Sequence, residues 1–348
     1  MNFIKHEIEK GDTLESLARQ YEVTAKQLVE FHNLHSPVTQ QIYGDKLPIH
    51  IQTVITPSHY TSENKNNTIN FKEKARYRCE QINISKINDQ TITLSSSVNT
   101  EYLISFSPEQ DLLEIDLKDY VFSVDPKVYH DAFSFSEKIE RLKSPVLFEI
   151  GEEKIVNNIL NRDKLEHKWK HFCENVLKTD SLYQQIAKNA PEQARDVIIT
   201  GNKEFSSSEN LSNMLDKNLF FHVFLRAIKG KNLNDYYIEQ YSQLFPSLLL
   251  HIDVVKTTVS EDENFVTYRL VGTLDRNNIS EVELQKMYDE IYKPIIKYNY
   301  TEFNYTYRII YTIDKNTGLL SEGKVALSEK IKNNFEAITE LIIRKVNL

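Results

Sequence analysis

Apolar positions change period along this chain, and the changes divide it. At the start His6 and Ile8 alternate with Lys5, Glu7 and Glu9, the two-residue period of a short strand. Gly11 then permits a tight turn. Leu14, Leu17, Ala18 and Tyr21 recur at helical spacing, with Asp12 as the expected N-cap and Glu15 three residues on. Thr24 and Gln27 announce a second helix carrying Leu28, Phe31 and His32. After Asn33, Leu34 and a polar loop through Ile42, Tyr43 and Gly44, "KLPIHI" alternates again as a closing strand, with Pro48 suiting a sheet edge. The pattern predicts a small βααβ module over residues 1–52. From Thr53 to Lys72 periodicity disappears into "TPSHYTSENKNNTINFK", which reads as a flexible linker.

The remaining body, residues 73–348, begins with strand-like runs: "RYRCEQINISKI", "TITLSSSV", "EYLISF" and "LLEIDLKDYVFSV". "KSPVLFEIGEEKIVNNILN" adds more. Helical stripes follow at Leu165, Trp169, Phe172 and Val176, and over the strongly apolar stretch from Asn210 to Ile228. "SLLLHIDVVKTTV" and "NFVTYRLVGTLD" read as a strand pair around the polar "SEDEN" turn. Ser280 and Glu283 cap a helix carrying Leu284, Met287, Tyr288 and Ile291, which Pro294 ends or kinks. In "EFNYTYRIIYTI" six residues from Phe303 to Ile313 share one face of a strand. "ITELIIRKV" fits strand or helix, with strand favoured. Strands, then helices, then strands again give an α+β body, an antiparallel sheet with helices. Two sheet-plus-helix halves meeting near residues 200–235 are one way to arrange it.

Composition narrows the function classes. The chain has 348 residues, is 40% hydrophobic and 26% charged, and carries a formal net charge of -8. That balance argues against nucleic acid as a partner, since phosphate-backbone binding needs a basic surface. No apolar run approaches the roughly 20 residues of a membrane span. "MNFIKHEIEKGD" has neither an apolar signal core nor a cleavage site, so the expected location is cytoplasmic, with export left to a non-classical or injection-type route. Cys79 and Cys173 form no CxxC pair, and two reduced, buried thiols are expected.

The N-terminal module resembles the LysM family. The residues that carry the resemblance are "GDTLESLA" (11–18), "YEVTAKQLVEFHNL" (21–34) and "IYGDKLPI" (42–49). The family binds N-acetylglucosamine-containing polymers, peptidoglycan or chitin. The resemblance implies a groove with Gly11, Asp12, Thr13 and Leu14 on one wall and Ile42 and Tyr43 on the other. Backbone groups in such loops can grip an acetamido group while Tyr43 covers a sugar face. This chain departs from the family pattern in one place. "IYGDKL" lacks the usual Pro before the Gly and is about one residue short, so sugar and protein both stay open as partners.

The body offers no comparable signal. His167 and His171 stand four apart on a predicted helix, a spacing that can share a metal, yet no HExxH glutamate accompanies them. An exposed helix face is the better account. No G-x-S-x-G elbow appears, and none of the eight glycines builds a phosphate or dinucleotide loop, so no cofactor is implied. The serine runs at 95–97 and 206–208 read as strand-edge and loop residues, and "EIGEEK" as a solvated turn. A non-enzymatic reading follows. One form of it holds peptidoglycan through the module. The other makes the chain a cytoplasmic adaptor, cargo, or baseplate or spike part of a contractile injection machine (type VI secretion or phage-tail-like), docking on protein.

Overall fold

A computed structural model gives the structure and describes residues 3–8, 11–21, 23–37, 40–44, 46–48, 51–57, 71–88, 91–151, 155–229, 232–245 and 248–348. The chain divides into two compact units, Met1–Asn70 and Phe71–Leu348.

In the first unit β1 (Phe3–Glu7) is followed by α1 (Leu14–Gln20), α2 (Ala25–His35) and β2 (Thr53–Pro57). β1 and β2 pair antiparallel from Phe3–Pro57 to Glu7–Thr53. The βααβ order is the expected one, but the closing strand sits later than "KLPIHI". It occupies the start of the stretch expected to be a linker, of which residues 58–70 lie outside the described residues. The reason is burial: Val54 and Ile55 are apolar and buried, and Ile51 and Val54 join Leu14, Leu17, Ala18, Leu28 and Ile42 in one small core. The first cap also moves. Thr13, not Asp12, precedes the helix, exchanging bonds with Ser16: Ser16 N–H to Thr13 Oγ1 at 3.0 Å and Thr13 N–H to Ser16 Oγ at 2.8 Å. Thr24 and Gln27 form the capping box the sequence predicts.

Among the described residues, the second unit is one antiparallel sheet of eleven strands with helices. Its first strands are β3 (Glu73–Ile87), β4 (Thr91–Ser107), β5 (Leu112–Asp125), β6 (Val146–Ile150) and β7 (Val156–Ile159). Its later ones are β8 (Tyr236–Tyr241), β9 (Leu249–Glu261), β10 (Phe265–Leu274), β11 (Phe303–Asp314), β12 (Leu320–Ile331) and β13 (Phe335–Val346). The spatial order is β7-β6-β5-β4-β3-β13-β12-β11-β10-β9-β8. The two runs of strands therefore share a single sheet. The body's first and last strands pair at its middle, from Phe335–Ile87 to Val346–Arg76.

Helices fill the connections. α3 (His130–Leu142) joins β5 to β6, while α9 (Glu281–Ile291) and the short α10 (Lys293–Ile296) lie between β10 and β11. α4 (Arg162–Asn175), α5 (Ser181–Asn189), α6 (Pro191–Phe205), α7 (Ser208–Asp216) and α8 (Leu219–Lys229) carry the chain from one sheet edge to the other. The expected helix from Asn210 to Ile228 is broken at Lys217 and Asn218 into α7 and α8. α8 is buried from Phe220 to Ala227, apolar there apart from His222 and Arg226, and packs in the core. Phe220 stacks on Tyr102 of β4 at 4.1 Å between centroids, and Phe224 meets Tyr77 of β3 edge-on at 5.1 Å. The face the sheet turns away from the core is charged: Arg76 and Arg78 flank Glu101, and Arg344 reaches Glu80 at 3.0 Å. A sheet covered on one face and wet on the other produces the alternation seen in the sequence. Among the described residues no helix is long and apolar enough to cross a membrane.

Candidate functional site

The two loops expected to form a groove converge on one core. Leu14 and Ile42, one from each, are both 1% exposed in the same apolar cluster. Their side chains anchor the loops. Ile42 is further committed, because its N–H donates to Asn33 Oδ1 at 2.7 Å and its carbonyl accepts from Asn33 Nδ2 at 2.8 Å. This paired amide clamp fixes the loop and leaves Tyr43, the next residue, 78% exposed, with its hydroxyl donating to Gln41 Oε1. Gly44 follows with φ +141°, a conformation that side chains disfavour.

The first loop is held as firmly. Gly11 has φ +111° and open space where a Cβ would stand, so the backbone conformation is what requires glycine. Asp12 Oδ2 meets His6 Nε2 at 3.0 Å, and His6 Nδ1 meets the Tyr21 hydroxyl at 2.7 Å. Burial, then the nearby Asp12 charge, pushes the Tyr21 hydroxyl above its usual pKa. Thr13 serves the helix cap. Of the six residues the resemblance implies, Gly11, Thr13 and Tyr43 are exposed and Asp12 is half-buried, while Leu14 and Ile42 are buried in the core of the module.

Sequence reading missed the second anchor. His32 is 1% exposed; its Nδ1 accepts from the Ile55 N–H at 3.0 Å and its Nε2 lies 2.7 Å from the Gln40 carbonyl. That geometry fixes the neutral Nε2–H tautomer. His32 ties α2 to β2 and to the Gln40 carbonyl at the start of the Tyr43 loop. Its helical spacing marked it as a core residue, but not the two backbone groups it serves.

In the body, the polar groups the sequence singled out do not converge. His167 and His171 are exposed on α4, and among the described residues no group of three or more His, Cys, Asp or Glu side chains is placed to hold a metal. Both cysteines are free, Cys79 buried and Cys173 half-buried. Ser95–Ser97 lie inside β4, and Ser207 caps α7.

A buried polar network does form around α8. Arg226 binds both carboxylate oxygens of Asp216, and its guanidinium lies 4.7 Å from the Tyr236 ring centroid. His222 Nδ1 stands 3.3 Å from Asp216 Oδ2, and its Nε2 stands 2.5 Å from the Tyr307 hydroxyl, which is 3.2 Å from that of Tyr236. Burial opposes charge on Asp216, yet His222 and Arg226 outweigh it and hold the carboxyl below its ordinary range. Burial, then Arg226, lowers the His222 imidazole. At neutral pH the arrangement is an Asp216–Arg226 ion pair with a neutral His222 donating from Nδ1 and accepting at Nε2. An Asp–His–Tyr series can relay protons, but His222 and Tyr307 are 5% and 2% exposed. We read it as the polar lock of the core.

Comparison with known proteins bears on the module only. The LysM domain family matches residues 6–43. No curated protein matches the chain. Among solved structures, the chain is similar to one described as "Lipid-protein interactions in lipovitellin", at 9% identity and a TM-score of 0.36 over 80% of this chain and 26% of that one. The chain thus spans about a quarter of that protein, and a likeness of this size transfers neither fold nor ligand. LysM domains as a class bind N-acetylglucosamine-containing glycans. The turn at Gly11, the Asn33 clamp and the two capped helices belong to the matched segment, and the N-terminal module of this protein is a LysM domain.

Proposed function

We propose that this is a non-catalytic protein that holds peptidoglycan, or a related N-acetylglucosamine polymer, through its LysM module. The contact surface is Gly11, Asp12 and Thr13 on one side and Tyr43 on the other, with Leu14 and Ile42 as anchors. The observation that carries the reading is the Asn33 clamp, which spends rigid hydrogen bonds to present an exposed tyrosine. An aromatic ring held in this way needs little ordering when it covers a sugar face.

Sedimentation with insoluble peptidoglycan tests this. The full chain is expected in the pellet. Tyr43→Ala should weaken retention about tenfold, roughly 1.4 kcal/mol, with thermal stability unchanged because the side chain is exposed. Retention indifferent to Tyr43 would sink the proposal.

A second reading has its own support. Leu34 is 79% exposed and sits next to Asn33 in sequence, so two bare apolar side chains flank the clamp. Such a pair suits protein as well as sugar. Under this reading the module docks the chain, as adaptor, cargo or spike part, onto a contractile injection machine, and the protein works from the cytoplasm. Leu34→Asp separates the two: it should abolish recovery of protein partners in a pull-down and leave glycan sedimentation intact.

A further inference from the structure

Two clefts open in the body, one between the helices and the sheet and one among the helices, and they share Ile139 of α3 and Glu204 of α6. The first, about 370 Å³, has Tyr102, Phe220 and Leu341 among its walls and the polar groups of Glu140, Lys143 and Asn218. The second, about 400 Å³, is lined by Phe135, Trp169, Val197 and Phe205, with Gln193, Asp196 and Thr200 on its exposed rim. Each falls in the size range of small-molecule sites, roughly 300–1,000 Å³, and together they set a polar end beside an apolar one.

Lys143 decides the chemistry. Only 8% of its surface is exposed. Its ammonium donates to Glu140 Oε1 at 2.7 Å, and the other Glu140 oxygen accepts from Asn218 Nδ2 at 3.2 Å. An ammonium carries three donors, and a buried one is costly unless acceptors meet it. Among the described residues one carboxylate, that of Glu140, meets it. Lys217 stands at the same cleft, 73% exposed and 3.7 Å from Glu204, a loose pairing that an incoming anion can displace.

We propose that this paired cleft binds an amphipathic monocarboxylate. Its carboxylate lies between Lys143 and Lys217, and its unbranched apolar chain passes Ile139 into the pocket of Phe135, Trp169 and Phe205. The ion pairs of Glu140 and Glu204 balance the two lysines, so the added negative charge is met mainly by Lys217 leaving Glu204. The site is independent of the glycan surface on the LysM module.

Titration of the full chain with 11-(dansylamino)undecanoate tests the proposal. A saturable, one-to-one rise in dansyl emission is expected, with dodecanoate displacing the probe about tenfold better than dodecanol. Lys143→Met should remove that preference for the carboxylate and leave dodecanol displacement unchanged. Thr200→Trp, on the exposed rim, should weaken both competitors. Where Lys143→Met does not fold, the double variant Glu140→Gln/Lys143→Met removes both charges together and gives the same readout. Non-saturable emission, equal displacement by acid and alcohol, or a Lys143→Met protein that still prefers the acid would each overturn the assignment. Soluble peptidoglycan fragments should leave the probe bound; release by them would place the probe on the LysM module and overturn the assignment to the body.

Discussion

At the scale of single residues, Asn33 does more than its neighbours. One amide side chain closes two hydrogen bonds on the backbone of Ile42 and so fixes both the core position of Ile42 and the outward aim of Tyr43. Asn33→Ala leaves a partly buried N–H and a carbonyl without those partners, at a cost of about 1–3 kcal/mol to the module. Hydrogen exchange should show the Ile42 amide losing protection, and glycan retention should fall although Tyr43 is intact. An unaltered Ile42 amide would mean that the clamp is not what holds the loop. In the body Gly201 is tied to one neighbour: a Cβ there would stand 2.1 Å from the Trp169 ring, whose face is already stacked on Phe205.

Among elements, α8 sets the behaviour of the body because its buried stretch mixes phenylalanines with His222 and Arg226. Each buried aromatic contributes about 1.5–3 kcal/mol of transfer free energy. The polar pair makes the same helix sensitive to acid. His222 titrates below its unfolded value of about 6.5, so the unfolded chain takes up a proton first as pH falls, and stability declines from there downward. Asp216 adds to the loss only below its unfolded value of about 4, since its folded carboxyl is depressed. Urea unfolding at pH 7 and pH 5 should show the wild-type body less stable at pH 5. His222→Gln, which keeps a polar group against Tyr307 but cannot titrate, should lose less over the same interval. Equal losses in the two proteins would remove His222 from the account. Glu329 plays a matching structural part on β12. It is 2% exposed and accepts from Ser242 and from the Gln243 and Leu244 N–H groups, pinning the turn after β8 to the sheet.

For the whole molecule, the decisive feature is the pairing of β3 with β13. It makes the first and last strands of the body neighbours, so neither run of strands is complete without the other. The LysM module has its own core and its own strand pair. Residues 71–348 expressed alone should therefore unfold cooperatively at the temperature of the body in the full chain. Ending the chain at Lys332 instead removes β13, with Leu341 and Ile343, and leaves β3 and β12 as open edges. That shorter protein should lose its cooperative transition in calorimetry. A folded, cooperative product would show that the two runs of strands are separable after all.

The sequence alone determined the local order of this protein. Strand-like runs around a polar turn marked β9 and β10, period two marked β11, and the side chains of Phe303, Tyr307, Ile309, Tyr311 and Ile313 are buried on one face as the alternation requires. Capping pairs placed α2 and α9, where Ser280 accepts from the Glu283 N–H. The LysM motif was legible for the same reason: its turn, caps and Asn33 act over short spans of chain. Tertiary structure decided the rest. The closing strand of the module went to Thr53–Pro57 because Val54 and Ile55 could be buried there, a preference that alternation in "KLPIHI" cannot express. Leu14 and Ile42 became anchors because both loops share one core. The β3–β13 pairing, the Asp216–His222–Tyr307 lock and the cleft at Lys143 join residues tens to hundreds of positions apart, and no local periodicity encodes such contacts.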